Sequence, residues 1–302
     1  MFNFPIFFLG LYFALSNYML DNDFKHFKNF YNVSAFKFDK KAKKTVENTE
    51  IDSTLLLFPK GIPKGVKENA QFKSVEYQAK YQIKYLIVSD INTISLIPSI
   101  KQANSFESIV GKTKEDGYVL MNAGMFQPNF NAVGLTISAG EIKQDLDTSI
   151  TTPKNGNFYL YPNGIFTIDK KNNPSIHTTK DFLEKKIDPK GLLLATQSGP
   201  MLVIDNKIHD KFSATSKNTN VRNGVGINDK GQIVFAISET EITFHDFATF
   251  FKDELHCSYA LYLDGTISEI YYRDKKNIWH TPRISSGKFG PIFMVRLQEE
   301  KK

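Results

Sequence analysis

Short apolar runs separated by turn residues dominate the chain from residue 80 onward. Lys84-Tyr-Leu-Ile-Val-Ser89 and Thr93-Ile-Ser-Leu-Ile97 predict paired strands joined at Asp90-Ile-Asn92. Tyr118-Val-Leu-Met121 predicts a strand buried on both faces, and it runs into Asn122-Ala-Gly-Met-Phe126. Hairpins are predicted around the Ala139-Gly140 turn and around Pro162-Asn-Gly164, the latter pairing 157–161 with 165–168. Leu192–Ala195 and Met201–Ile204 read as strands flanking Thr196-Gln-Ser-Gly-Pro200. Val221–Ile227 and Gln232–Ile237, with Asn228-Asp-Lys-Gly231 between them, carry the strongest hairpin signal. Phe289–Arg296 reads as a closing strand.

Helical periodicity is confined to short stretches. Ser105 heads one reaching about Lys114, and another runs near Asp181–Lys186. Thr243 and Asp246 have the spacing of a capping box, with Phe247, Phe250, Phe251 and Leu255 along one face of the helix that follows. Strands outnumber helices and do not alternate with them regularly. The expected class is α+β, with mixed β-sheets packed with a few short helices in a single catalytic domain.

Domain organisation follows from where this pattern begins. Phe2–Leu20 is almost wholly apolar and predicts a signal peptide or N-terminal anchor over 1–20, hence an exported protein with N-terminal membrane association. Residues 21–79 carry weak signals, with strands expected at 31–38 and 53–58, and the main domain is expected over 80–302. With 41% hydrophobic and 13% aromatic residues, the 302-residue chain has ample material for a core. The net charge of +6 sits partly in lysine runs such as Lys40–Lys44, which read as a solvated face. No basic–aromatic platform points to nucleic acid. Cys257 is the only cysteine, so no intramolecular disulfide forms, and its apolar neighbours predict an inert thiol. The six histidines are scattered and make no zinc pattern.

Candidate chemistry centres on Tyr259–Tyr272, an apolar run interrupted by Asp264-Gly265. A buried carboxylate is costly unless paired or hydrogen-bonded, so Asp264 either faces a cleft or sits in a held turn. Three other clusters share its form, polar groups beside glycine at the end of an apolar strand: Asn122-Ala-Gly124, Gln197-Ser-Gly199 and Val221-Arg-Asn-Gly224. If those ends converge on one hollow, they supply Asn122, Gln197, Ser198, Arg222, Asp264 and Ser268, with Glu239 or Glu241 as a second carboxylate. Arg222 offers a planar fork for phosphate or carboxylate. Asn122 and Gln197 suit sugar hydroxyls or phosphate oxygens, the Gly124 and Gly199 backbones suit an anion, and Asp264 with Glu239 suits acid–base or nucleophilic work. Each has a plainer reading: a turn for Asp264, an exposed strand position for Arg222, a cap for Asn122 and edge charges for the glutamates. Ser198 lacks the Gly-x-Ser-x-Gly setting of a nucleophile and is assigned to binding. His245, at the head of a helix, reads as a surface residue.

The ordered set Met121-Asn-Ala-Gly-Met-Phe126, Gln197-Ser-Gly-Pro-Met-Leu202, Arg222-Asn-Gly-Val-Gly226 and Ala260-Leu-Tyr-Leu-Asp-Gly265 resembles the phosphodiester glycosidase family, typified by N-acetylglucosamine-1-phosphodiester α-N-acetylglucosaminidase. The resemblance spans roughly residues 80–296. It implies cleavage of a sugar-1-phosphodiester at the anomeric centre, with a cell-envelope or extracellular glycoconjugate as partner. It also allows a divalent cation, for which the sequence shows no dedicated ligands. After Asp264-Gly265 the chain reads Thr-Ile-Ser268 where the uncovering enzyme's branch is glycine-rich, so the sugar does not carry over and the match is to an uncharacterised bacterial subgroup. Two alternatives accompany this expectation: a non-catalytic binder of envelope glycans or glycolipids, and a metal-assisted phosphodiesterase that cuts the P–O bond.

Overall fold

A computed structural model describes residues 70–100, 102–110, 117–149, 156–265, 267–273, 278–280 and 287–297. The expected N-terminal signal or anchor, and the strands expected at 31–38 and 53–58, lie outside the described residues. The described residues open with β1 (Ala70–Tyr77) and β2 (Tyr81–Val88), so ordered strand is present before residue 80. Next come β3 (Ile94–Ile97), α1 (Phe106–Val110), β4 (Tyr118–Asn122), β5 (Thr136–Ser138) and β6 (Glu141–Gln144). The middle forms β7 (Gly164–Asp169), β8 (Pro174–Thr178), α2 (Thr179–Glu184), β9 (Leu192–Ser198), β10 (Met201–Ile204) and β11 (Lys207–Ile208). Then follow β12 (Thr219–Asn220), β13 (Asn223–Asn228), β14 (Ile233–Ser238), β15 (Ile242–Thr243), α3 (Phe244–Thr249) and β16 (Cys257–Tyr262). The chain closes with β17 (Ile270–Arg273), β18 (Ile278–His280) and β19 (Ile292–Arg296).

Three main sheets result: a seven-stranded one in the order β1-β2-β14-β13-β16-β10-β11, and five-stranded ones ordered β18-β17-β4-β19-β3 and β6-β5-β9-β7-β8. The fold is α+β, mostly strand with a few short helices, as the sequence pattern predicts. The mixed pairing expected within sheets does not occur. Neighbouring strands run antiparallel in all three. Parallel neighbours need crossovers of a dozen or more residues, usually helical, and α1 and α2 have only five and six residues.

Two predicted hairpins also resolve differently. β2 and β3 do not pair with each other. β2 joins β1 and β14, while β3 pairs with β19 in another sheet. The 3₁₀ turn Ile91–Thr93, capped by Asp90 through its bond to the Asn92 N–H, redirects the chain between layers. Asn157–Tyr159 is a 3₁₀ turn rather than a strand, and β7 pairs with β8 instead. The β5–β6 turn behaves as predicted, and the β10–β11 turn is built the same way. Ala139-Gly140 and Asp205-Asn206 take the paired positive φ values that two-residue hairpins demand.

The sheets share one core. Phe166 from β7, Phe235 from β14 and Phe293 from β19 meet there, with ring centroids 4.9–6.3 Å apart. The outer face of the seven-stranded sheet is closed by Phe247, Phe250 and Phe251. Phe106 and Ile109 of α1 close one five-stranded sheet, and Phe182 of α2 closes the other. With both faces covered, β4 and β14 are buried along their whole length, which is why they read as unbroken apolar runs. Thr243 caps α3 by accepting from the Asp246 N–H, as the capping-box spacing predicts.

Candidate active site

The ends of β4, β9, β13 and β16 come together at one end of the sheets, and the hydrogen bonds that join them run through Asn223. Its Nδ2 donates to the Asn122 carbonyl (2.8 Å) and to Asn122 Oδ1 (3.1 Å), while its Oδ1 accepts from the Asp264 N–H (2.8 Å). Its carbonyl accepts from the Leu263 N–H. Asn122 Oδ1 takes a second donor, the Glu269 N–H, at 3.0 Å. Ser198 Oγ donates to the Leu263 carbonyl, which ties β9 to the same turn. These bonds join the strand ends that carry Asn122, Ser198 and Asp264.

Asp264 is 3% exposed. Its Oδ1 accepts from the Gly265 N–H at 2.7 Å, and no cation pairs with it among the described residues. Burial pushes its carboxyl up to about 7, against the weaker opposing pull of that backbone donor. At neutral pH the group is thus poised between its two protonation states.

Arg222, 1% exposed, is a buried cation with no carboxylate partner among the described residues. Its Nε donates to the Ile242 carbonyl (2.8 Å) and Nη2 reaches Asn218. The guanidinium lies 3.5 Å over the Phe244 ring and 5.8 Å from the Tyr262 ring. Burial lowers its pKa, because carbonyls and ring faces only partly replace water.

Tyr262 stands between the two charges. Burial raises its phenol, the Arg222 charge opposes that, and the Asp264 charge adds to it. Arg222 and Asn157 approach the phenol oxygen, which nevertheless has no hydrogen bond of good geometry. A Cβ at Gly265 would fall 2.2 Å from that oxygen, so residue 265 must lack a side chain. Arg222 and Asp264 thus both act on Tyr262, and both are nearly excluded from solvent rather than facing an open hollow.

Other expected ligands are already occupied. Gln197 is corrected from substrate binder to structural clamp. Its Oε1 accepts from the Leu135 and Asp147 N–H groups, and its Nε2 donates to the Asp147 carbonyl and Thr179 Oγ1. Four partners leave the amide no capacity for a sugar. Ser198 spends its proton on Leu263 and Ser268 spends its own on the Asp264 carbonyl, so both brace the acid's backbone.

Gly124 and Gly199 are explained by the chain itself. A Cβ at Gly124 would lie 2.6 Å from Thr196 Oγ1, and one at Gly199 would lie 2.6 Å from Asn163 Cβ. Glu239 is not delivered to Asp264. It is paired with Lys84 Nζ at 2.7 Å, and Lys84 sits on β2, separated from β13 by β14. Glu241 accepts from Thr219 on an exposed edge. His245 is half-buried beside Asp246.

Residues the sequence pattern does not single out complete the neighbourhood. Asn223 lies within the Val221–Gly224 cluster, but it looks like a spacer beside Arg222 until its three side-chain bonds are seen. Glu269 is 1% exposed and bonded through its N–H to Asn122; its signal is a second acid in the apolar run after Asp264. Asn122 Nδ2, Thr196 Oγ1 and both amide atoms of Asn163 are buried without partners. Among the described residues no group of three or more His, Cys, Asp or Glu could hold a metal ion, and no helix is long and apolar enough to cross a membrane. Cys257 is buried, and burial pushes its thiol up to about 12, in keeping with an inert group.

Comparison with known proteins matches residues 115–295, more than half of the chain, to the phosphodiester glycosidase family. The uncharacterized protein YigE of Escherichia coli strain K12 is 34% identical over 161 residues, 53% of this chain and 59% of that protein. The alignment therefore takes in less than two thirds of that relative's length. The zebrafish N-acetylglucosamine-1-phosphodiester α-N-acetylglucosaminidase catalytic domain, auto-inhibited by its pro-peptide, superposes with a TM-score of 0.50 at 14% identity. That superposition covers 76% of this chain and 83% of the zebrafish one, and it speaks for the fold. A hypothetical protein from Synechocystis gives a TM-score of 0.46 at 12% identity, over 75% of this chain and 62% of its own. On the extent of the family match, this chain belongs to the phosphodiester glycosidase family.

Proposed function

We propose that the protein is an exported hydrolase that cleaves the glycosidic C–O bond of a sugar-1-phosphodiester in a cell-envelope or extracellular glycoconjugate. One observation carries this reading beyond family membership. A buried guanidinium with no carboxylate partner lies across one tyrosine from a carboxyl poised near neutrality. A cation in that setting is under-compensated, and a phosphodiester anion would complete it. In the reaction, water attacks the anomeric carbon and the C–O bond breaks toward the phosphate, which leaves with the electron pair. Asp264 takes the proton from the attacking water, a role suited to a group titrating near 7. Arg222 stabilises charge on the departing phosphate. Glu269 is the nearby buried acid in place of Glu239. Because both Arg222 and Asp264 are nearly excluded from solvent, substrate binding has to displace the groups that cover them.

The near-complete burial of Asp264 favours the second reading, a glycan or glycolipid binder that does not cut. A panel of glycosyl-1-phosphodiesters, incubated with and without divalent cations, separates the two. Release of free sugar supports the hydrolase; saturable binding without release supports the binder. In oxygen-18 water, label in the sugar establishes C–O cleavage. Label in the phosphate would instead establish a phosphodiesterase and overturn the mechanism.

A further inference from the structure

Asn163 is 1% exposed, and among the described residues it is the one amide with both Oδ1 and Nδ2 buried and unpaired. A buried polar atom left without a partner is destabilising, so a scaffold has no reason to keep two on one side chain. The Asn163 carbonyl accepts from the Thr179 N–H, and the Thr179 hydroxyl accepts from Gln197 Nε2 rather than meeting the Asn163 amide. The Asn163 side chain lies against Gly199, where a Cβ would come within 2.6 Å of its own Cβ and 3.0 Å of the Phe158 carbonyl. Gly199 follows Ser198, whose hydroxyl holds the residue before Asp264. Tyr161 Oη, two residues before it, is also buried and unpartnered, as is Thr196 Oγ1 on the opposite face of the sheet.

We propose that Asn163 is a recognition residue whose amide waits for the vicinal hydroxyls of a pyranose ring. An amide presents a donor and an acceptor side by side, which is the pattern two neighbouring sugar hydroxyls complete. The ligand is neutral and polyhydroxylated at this point. Its charged half belongs at Arg222, and in that respect the proposal rests on the hydrolase reading. Tyr161 Oη is a further unpartnered hydroxyl two residues along the chain.

The test uses the full chain and two variants, Asn163→Leu, which keeps the branching without the polar atoms, and Asn163→Ala. Thermal denaturation is followed without ligand. Binding of free methyl glycopyranosides, with no phosphate, is followed by saturation-transfer NMR, and hydrolysis of glycosyl-1-phosphodiesters by released sugar. Asn163→Leu is expected to melt at or above the wild-type temperature, to lose methyl glycoside binding, and to raise KM about tenfold or more with kcat changed far less. Equal glycoside binding by wild type and both variants overturns the proposal even if hydrolysis proceeds. Absence of any methyl glycoside binding to wild type overturns it too. If wild type binds glycosides through Asn163 but cuts no phosphodiester, this site stands and the hydrolase reading falls.

Discussion

Gln197 and Asn163 are both buried amides, on the paired strands β9 and β7 or their ends, and they live opposite lives. Gln197 makes four hydrogen bonds that fasten β5, the 147 loop and α2. Asn163 makes none with its side chain. The same contrast runs through the wider neighbourhood. The Asn122–Asn223–Asp264 backbone knot is saturated, whereas the Asn122 amide nitrogen, the Tyr262 phenol and the Arg222 charge are left short of partners. Satisfied polar groups build the scaffold and rigidify it; unsatisfied ones carry a standing cost that a scaffold has no reason to keep. The difference separates residues that hold the site from those that face a ligand.

The largest effects should come from the unsatisfied side. Asp264→Asn and Arg222→Gln are each expected to lower turnover of a glycosyl-1-phosphodiester by about 10³-fold or more. Asp264→Asn keeps the acceptor for the Gly265 N–H, so the protein should remain folded by circular dichroism. Turnover within tenfold of wild type in both variants would remove the pair from the mechanism. Asp264 should also leave a mark on stability. Its folded-state value is about 7 against an ordinary 3.8, so between those values the native state holds a proton that the unfolded chain has lost. Stability therefore falls as pH rises from about 4 to 7, by up to roughly 4 kcal/mol. Urea unfolding of wild type and Asp264→Asn across that range should show this slope only in the wild type.

On the satisfied side, Gln197→Leu strands the Leu135 and Asp147 N–H groups. It is expected to cost about 3 kcal/mol or more in unfolding free energy, since buried donors would lose their acceptors. The same branching change at Asn163 should cost nothing. Equal losses at the two positions would erase the distinction between clamp and ligand-facing amide.

Much of this was legible in the sequence where a feature is local. The β13–β14 hairpin, the Thr243 cap and the left-handed turn at Ala139-Gly140 depend on neighbours along the chain, and they fold as read. The convergence of Asn122, Arg222 and Asp264 was legible because each interrupts an apolar strand at its end beside glycine. What was not legible depends on which distant group arrives first. Gln197 looks like a ligand until Asp147 and Thr179 close on it. Asn223 looks like a spacer until Asn122 and Asp264 reach it. β2 and β3 look like a hairpin because each fits a strand, and the choice of sheet is made by β14 and β19.

Glu239 offers the finest probe of the comparison, because it is a charged side chain near the site that already has its partner. Lys84 holds it at 2.7 Å, with 24% of the glutamate side chain still exposed. Asp264 has no such cation among the described residues, and burial pushes its carboxyl up. Glu239→Gln keeps an oxygen for the Lys84 ammonium and loses only the charge. The expected stability change is about 1 kcal/mol or less, as for partly exposed pairs, and turnover should stay within about threefold of wild type. A loss approaching that of Asp264→Asn would mean that the ion pair works at the reacting centre, and that partnering alone does not separate scaffold from site.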